Sequence, residues 1–385
     1  MSGHQFGQTP PPLAVYIRRI LDRYPDGQIL KELLQNADDA AATELHLILD
    51  ITEFGTETLY DPRLRSCQGV SLLAYNNAVF SNKDWDNIQK LEQSYKSEDP
   101  TKIGRLGIGF NSIYFLTDFP WILSGDWLGV FDPRETGIFS HEKGKSGFRW
   151  DLREDQDRSC MSSTFHDQFQ PFNLPQSTVF PAFLPGTDNY YKGTLFRFPL
   201  RQKIPDQTGS PFILSNAVHT YKTVVDLFTK FKHDADMVLL FLSSVIKIGL
   251  WIRKEGKLKQ NFVVEKRSRV PSTPLQNLEG LCLYSEVDIS VTKAESSGSS
   301  PSKESWAVCG LIGRSVNGEC LSMQREVGVA CPLTVGEEKQ ERDFHVSCFI
   351  PLPPSHESAT GLPVQVHGCF WLSDDRRSVL WPSRT

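Results

Sequence analysis

The sequence predicts a mixed α/β chain, and three observations predict it. Helical and extended patterns alternate from about residue 12 to 254. Turn-forming residues stand at the joints between them. A hydrophobic share of 39% with 23% charged residues provides for buried cores beneath a polar surface, and 385 residues suffice for two domains of ordinary size.

Leu13, Val15, Ile17, Ile20 and Leu21 suggest a first helix, stopped by the turn Pro25-Asp26-Gly27. A second helix over residues 28 to 42 places Ile29, Leu30, Leu33, Leu34, Ala37 and Ala41 on a core stripe. Glu44 to Asp50 alternates at period two, as a strand with one wet face does. Val70 to Tyr75 is an apolar run ending in the turn dipeptide Asn76-Asn77. Ser81, with Asp84 three residues on, resembles a capping box ahead of a helix lined by Trp85, Ile88 and Leu91. Strands are expected at Gly129 to Phe131, Gly193 to Pro199 and Val245 to Arg253, with helical spacing from Tyr221 to Phe231. A boundary near 254 separates residues 1–254 from a second α/β region over 255–385. That region carries strand candidates at Asn261 to Glu265, Trp306 to Ile312, Phe344 to Pro351 and Leu362 to Leu372, and a flexible Ser-rich loop near 294–305.

A net charge of -5 gives no field to attract nucleic acid or an acidic membrane surface. Eight cysteines without a CxxC pair fix no tetrahedral zinc and read as thiols in a reducing cytosol. The N-terminus lacks a signal-peptide pattern, and no segment reaches the ~18 apolar residues of a membrane span. The expectation is a cytoplasmic protein without membrane insertion, and the chain reads as a piece of something longer.

Chemistry concentrates in three places. On the second helix, Glu32, Asn36 and Asp39 fall within about 60° of one another, since offsets of four and seven nearly complete whole turns. This stripe is either a solvated face or a carboxylate that polarises water beside an amide that coordinates Mg²⁺, a cation that prefers oxygen donors. Gly104, Gly107 and Gly109 let the backbone approach phosphates ahead of an apolar helix start at Phe110. Lys192-Gly193-Thr194 then enters a strand with a hydroxyl able to bond a base nitrogen or a water, or merely punctuates it.

The order ELLQNADDA, a strand ending at Asn76, GRLGIGF and KGT resembles the ATP-binding domain of the GHKL (Bergerat) superfamily. Its members include ninety-kilodalton heat-shock chaperones, type II topoisomerases, histidine kinases and MutL repair proteins. FGQTPPPL, DRYPDGQILKELLQNADDA, YNNAVF, IGRLGIGFNSIY and GLPVQVHGCFWLSDDRRSVLWP resemble more closely the repeated region of the sacsin family of co-chaperones, from about 5 to 382. The resemblance implies a two-layer α/β sandwich of the GHKL type followed by a smaller α/β middle-type domain, with ATP and Mg as cofactors. By it, Glu32 is the base that activates water and Asn36 the metal ligand. Asp39 is an acid near the nucleotide edge, and Gly104, Gly107 and Gly109 hold phosphates with Phe110 behind them. Thr194 contacts adenine with water. Where the superfamily carries an Asp in DxGxG, this sequence has Asn76-Asn77-Ala78, so Asn76 offers a neutral acceptor in place of a charged one. Lys96, Lys102 and Arg105 in a short lid, and Arg376 or Arg377 from the second region, are candidates to sense a γ-phosphate, against the plainer reading of solvated charges. The implied function is a co-chaperone module with slow ATP hydrolysis. Its partners would be client proteins and the seventy-kilodalton heat-shock chaperone system. The alternative is a non-catalytic scaffold that keeps the fold.

Overall fold

A computed structural model describes residues 11–23, 29–89, 108–142, 144–175, 177–202, 214–274, 281–293, 301–312 and 327–333, and shorter stretches between 344 and 380. Its backbone is one mixed sheet with helices laid on it. In chain order come α1 (Leu13–Arg23), α2 (Ile29–Asp39), β1 (Glu44–Asp50), β2 (Ser71–Asn76), α3 (Asn82–Asn87), α4 (Ile108–Asn111), β3 (Trp121–Gly125), β4 (Trp127–Phe131) and β5 (Gly147–Asp151). There follow α5 (Asp155–Ser159), α6 (His166–Phe169), β6 (Tyr191–Pro199), α7 (Tyr221–Val238), β7 (Lys247–Lys254), β8 (Lys257–Pro274) and β9 (Leu281–Lys293). The last strands are β10 (Ser302–Ile312), β11 (Val327–Pro332), β12 (Val346–Cys348), β13 (Ile350–Pro351) and β14 (Gln365–Gly368). They pair in the order β13-β12-β14-β11-β10-β9-β8-β7-β1-β2-β6-β3-β4-β5.

The pleat decides what each face of this sheet carries. Leu45, Leu47 and Leu49 of β1, Leu72 and Ala74 of β2, and Phe196 and Phe198 of β6 point to one side, where they share a core with α1, α2, α4 and α7. Alternate residues, Ile48, Leu73, Tyr75 and Leu195, point to the other side. There a cover of short helices, including 3-10 turns at Pro62–Gln68 and Gln170–Phe172, contributes Leu64, Met161, Phe169 and Phe172. The capping box expected at Ser81 forms: Asp84 Oδ2 accepts from Ser81 N–H at 2.8 Å, and Ser81 Oγ accepts from Asp84 N–H.

Two sequence expectations shift. β8, β9 and β10 form long antiparallel hairpins, β9 having gone unforeseen, and Ser302–Ser305 belong to β10 rather than to a Ser-rich loop. Ser305 Oγ and Lys303 Nζ both reach Asp288 on β9, at 2.6 and 2.8 Å, so a polar composition here serves a wet strand face. The tight turn Glu255-Gly256 joins β7 to β8, and the helix-side core continues past residue 254 through Val264, Ile289, Trp306 and Val308. Every regular element described after residue 254 is a strand. Among the described residues, no helix is long and apolar enough to cross a membrane.

Candidate functional site

The helix-side face of the sheet ends in a polar row. Leu45, Asn76, Thr194 and Ser124 are paired neighbours on β1, β2, β6 and β3, and therefore project to the same side. One row inward the partners are Leu47, Ala74, Phe196 and Ile122, all apolar. The sheet thus changes from apolar to polar within two residues, on three strands at once.

Asn76 and Thr194 are both buried. Asn76 Oδ1 accepts the Ala78 N–H at 3.0 Å, an Asx turn that ends β2 and fixes which amide atom faces the backbone. Thr194 Oγ1 donates to the Ala78 carbonyl at 2.8 Å and lies 2.8 Å from Ser124 Oγ. Ser124 in turn accepts from Phe80 N–H at 2.9 Å. The glycine of Lys192-Gly193-Thr194 is required: its φ is +133°, and a Cβ there would stand 2.7 Å from the Asn76 carbonyl and 2.6 Å from the Tyr75 ring. Ser124 escaped notice in the sequence because a lone serine inside a strand carries no pattern.

On this side of the sheet lies α2, packed on β1. Glu32 is only 5% exposed, Asn36 is half-buried and Asp39 is exposed, so the stripe they form runs from core to solvent and is not a solvated face. α2 packs against α4, the helix that holds Gly109 and Phe110. The Phe110 ring stands 5.9 Å from Phe196, two residues beyond Thr194, and 6.2 Å from Phe131. Glu32 and Asn36, the start of α4, and the Asn76–Thr194 pair thereby share one side of the sheet. Gly104 and Gly107 lie outside the described residues, as do Lys96, Lys102, Arg105, Arg376 and Arg377.

Two further residues position these elements. Asp38 is buried and accepts three backbone N–H groups, from Ser243 (3.1 Å), Ser244 (2.7 Å) and Val245 (2.8 Å), which ties the end of α2 to the approach to β7. Arg201 pairs with Asp118 at 3.0 Å and donates to the carbonyls of Tyr114, Phe115 and Thr117, so one guanidinium closes the turn that follows α4. Asn77, next to the site residue, has a separate task. Its Oδ1 accepts from Thr43 N–H at 2.9 Å and its Nδ2 donates to Thr43 Oγ1 at 2.7 Å, which clamps the α2–β1 connection.

The Sacsin domain family matches residues 10–265, a stretch that holds the α2 stripe, the start of α4 and the polar row, and the chain belongs to that family. A particular relative is human (Homo sapiens) Sacsin, 40% identical over 414 aligned positions that take in 98% of this chain; the chain spans 9% of that relative's length. Among solved structures, the N-terminal domain of a DNA repair protein aligns over 96% of this chain and 92% of its own at 12% identity. Its TM-score of 0.39 is too loose to define the fold.

Proposed function

We propose that this chain is a sacsin-type module that binds ATP with Mg²⁺ and hydrolyses it slowly, so that closure over the nucleotide rearranges the parts around it. The observation that carries this reading is the placement of α2, with buried Glu32 and half-buried Asn36, against α4 and on the side of the sheet to which Asn76 and Thr194 project. The donor set fits the cofactor. Asn36 supplies an oxygen ligand of the kind Mg²⁺ takes and Glu32 a carboxylate able to take a proton from water, and Asn76, Thr194 and Ser124 supply a polar edge beside Phe196 for the base. When bound, Mg²⁺ would neutralise charge on the phosphates. Asn36 would hold it, Glu32 would orient and deprotonate water, and the N–H groups at the start of α4 would face phosphate oxygens. The setting proposed is the cytoplasm, with client proteins and the seventy-kilodalton heat-shock chaperone system as partners and no nucleic acid.

A second reading, a scaffold that keeps the fold without nucleotide, is favoured by the internal satisfaction of the polar edge. The Asn76 carbonyl and the Thr194 hydroxyl both already bond Ala78. Isothermal titration of the chain and its Glu32→Ala form with ATP and Mg²⁺ separates the two. Heat from both, with turnover confined to the parent, supports the ATPase reading; no heat from either supports the scaffold.

A further inference from the structure

A cavity of about 440 Å³ opens between α1, α3, α4 and the β4–β5 hairpin, with Phe110 in its lining. Ile17, Trp85, Tyr114 and Val130 form its buried floor. Trp85 can lie flat there because residue 129 is glycine; a Cβ at that position would stand 3.1 Å from its ring. The rim is different in kind. Lys145 and Arg149, both exposed, line it from the hairpin, and among the described residues no Asp or Glu lines the cavity. Neither cation has a carboxylate within ion-pair distance among the described residues. The Arg149 guanidinium is held 4.1 Å over the Trp127 ring and 5.9 Å from Trp85, so its charge stays at the mouth.

We infer that this cavity is a binding site for a small organic anion with an apolar body, a medium-chain carboxylate in size and chemistry. The volume falls within the roughly 300 to 1,000 Å³ usual for small-molecule sites. The apolar floor accounts for the body of the ligand and the two exposed rim cations for its charged end. A neutral molecule of equal length would make no use of the two cations, and a short anion would leave the floor unfilled. Of the described residues assigned to the nucleotide, Phe110 alone lines this site.

The test uses the whole chain and decanoate below its micellar concentration, followed by titration calorimetry and by tryptophan fluorescence, since Trp85 lines the cavity and Trp127 lies beneath Arg149. Decanoate binds, decanol binds at least about tenfold more weakly, and acetate gives no signal. Lys145→Gln with Arg149→Gln, surface changes that leave the floor intact, weakens decanoate about 3- to 30-fold, as expected for two exposed charge contacts, and leaves decanol unchanged. Ile88→Trp, which fills the space from a half-buried lining position, removes both ligands while circular dichroism stays that of the parent. Equal affinity for decanoate and decanol, undiminished decanoate binding in the double Gln variant, or no binding by the parent chain overturns the inference.

Discussion

Replacing Asp38 should destabilise the chain far more than replacing its neighbour Asp39, and the structure permits the size to be worked out. Asp38 Oδ1 accepts from Ser244 and Val245, and Oδ2 from Ser243. Of these three residues Val245 is buried, Ser244 half-buried and Ser243 exposed. Truncation to Ala lets water reach Ser243 N–H, strands Val245 N–H at about 1 to 3 kcal/mol, and forfeits part of a charge-assisted bond to Ser244. The expected loss for Asp38→Ala is about 3 kcal/mol. Asp38→Asn keeps an oxygen for the two inner donors and loses only the exposed bond, at about 1 kcal/mol. Asp39→Ala, at an exposed position, should cost under about 1 kcal/mol. Urea unfolding followed by tryptophan fluorescence gives all three values. Equal losses for Asp38→Ala and Asp39→Ala would refute the claim that Asp38 anchors α2 to the sheet.

Three further outcomes are expected. His46 is fully buried, its Nδ1 accepts from Trp251 Nε1–H at 3.1 Å, and its Nε2 faces Glu44. Burial holds its pKa below the usual imidazole value although Glu44 opposes this. The unfolded chain therefore binds the proton more readily, so this contribution is full above about pH 6.5 and is lost as pH falls through the lowered folded value. His46→Phe should flatten that part of the stability curve measured by denaturant unfolding. A Cβ on Gly249 would come within 2.3 Å of His46 Nδ1 and 2.6 Å of Trp251 Nε1, so Gly249→Ala should lower stability by about 3 kcal/mol in the same assay. Arg201→Lys removes the planar fork that caps Tyr114, Phe115 and Thr117; a loss of about 2 to 4 kcal/mol and a faster hydrogen exchange of the turn after α4 are expected.

Much of this protein could be read from sequence because the signals are local. The 3.6-residue spacing of Leu30, Leu33, Leu34 and Ala37 and the alternation from Glu44 to Asp50 follow from the geometry of one helix and one strand. The helix ends at Asp39, short of the expected 42, with Ala41 exposed at φ +57° rather than on the core stripe, and the strand is buried on both faces because short helices cover the side expected to be wet. The Ser81–Asp84 box is likewise written within four residues. Membership of the sacsin family was legible because its segments are motifs with fixed spacing. What the sequence leaves open depends on contacts between distant residues. A helical stripe of Glu32, Asn36 and Asp39 fits a wet face and a buried site equally well, and only packing against α4 and the sheet shows that Glu32 is inside. Asp38 and Asp39 are adjacent acids in one motif, yet the approach to β7, more than 200 residues away, gives the first three backbone partners and leaves the second at the surface. Ser124 and Arg201 carry no pattern of their own; strand register and the turn after α4 give them their roles. The sequence by itself determined the elements and the family, since propensity and spacing are properties of short stretches. Tertiary structure alone decided which polar groups are buried, which neighbour each one bonds, and where positive charge stands at the rim of a cavity with an apolar floor.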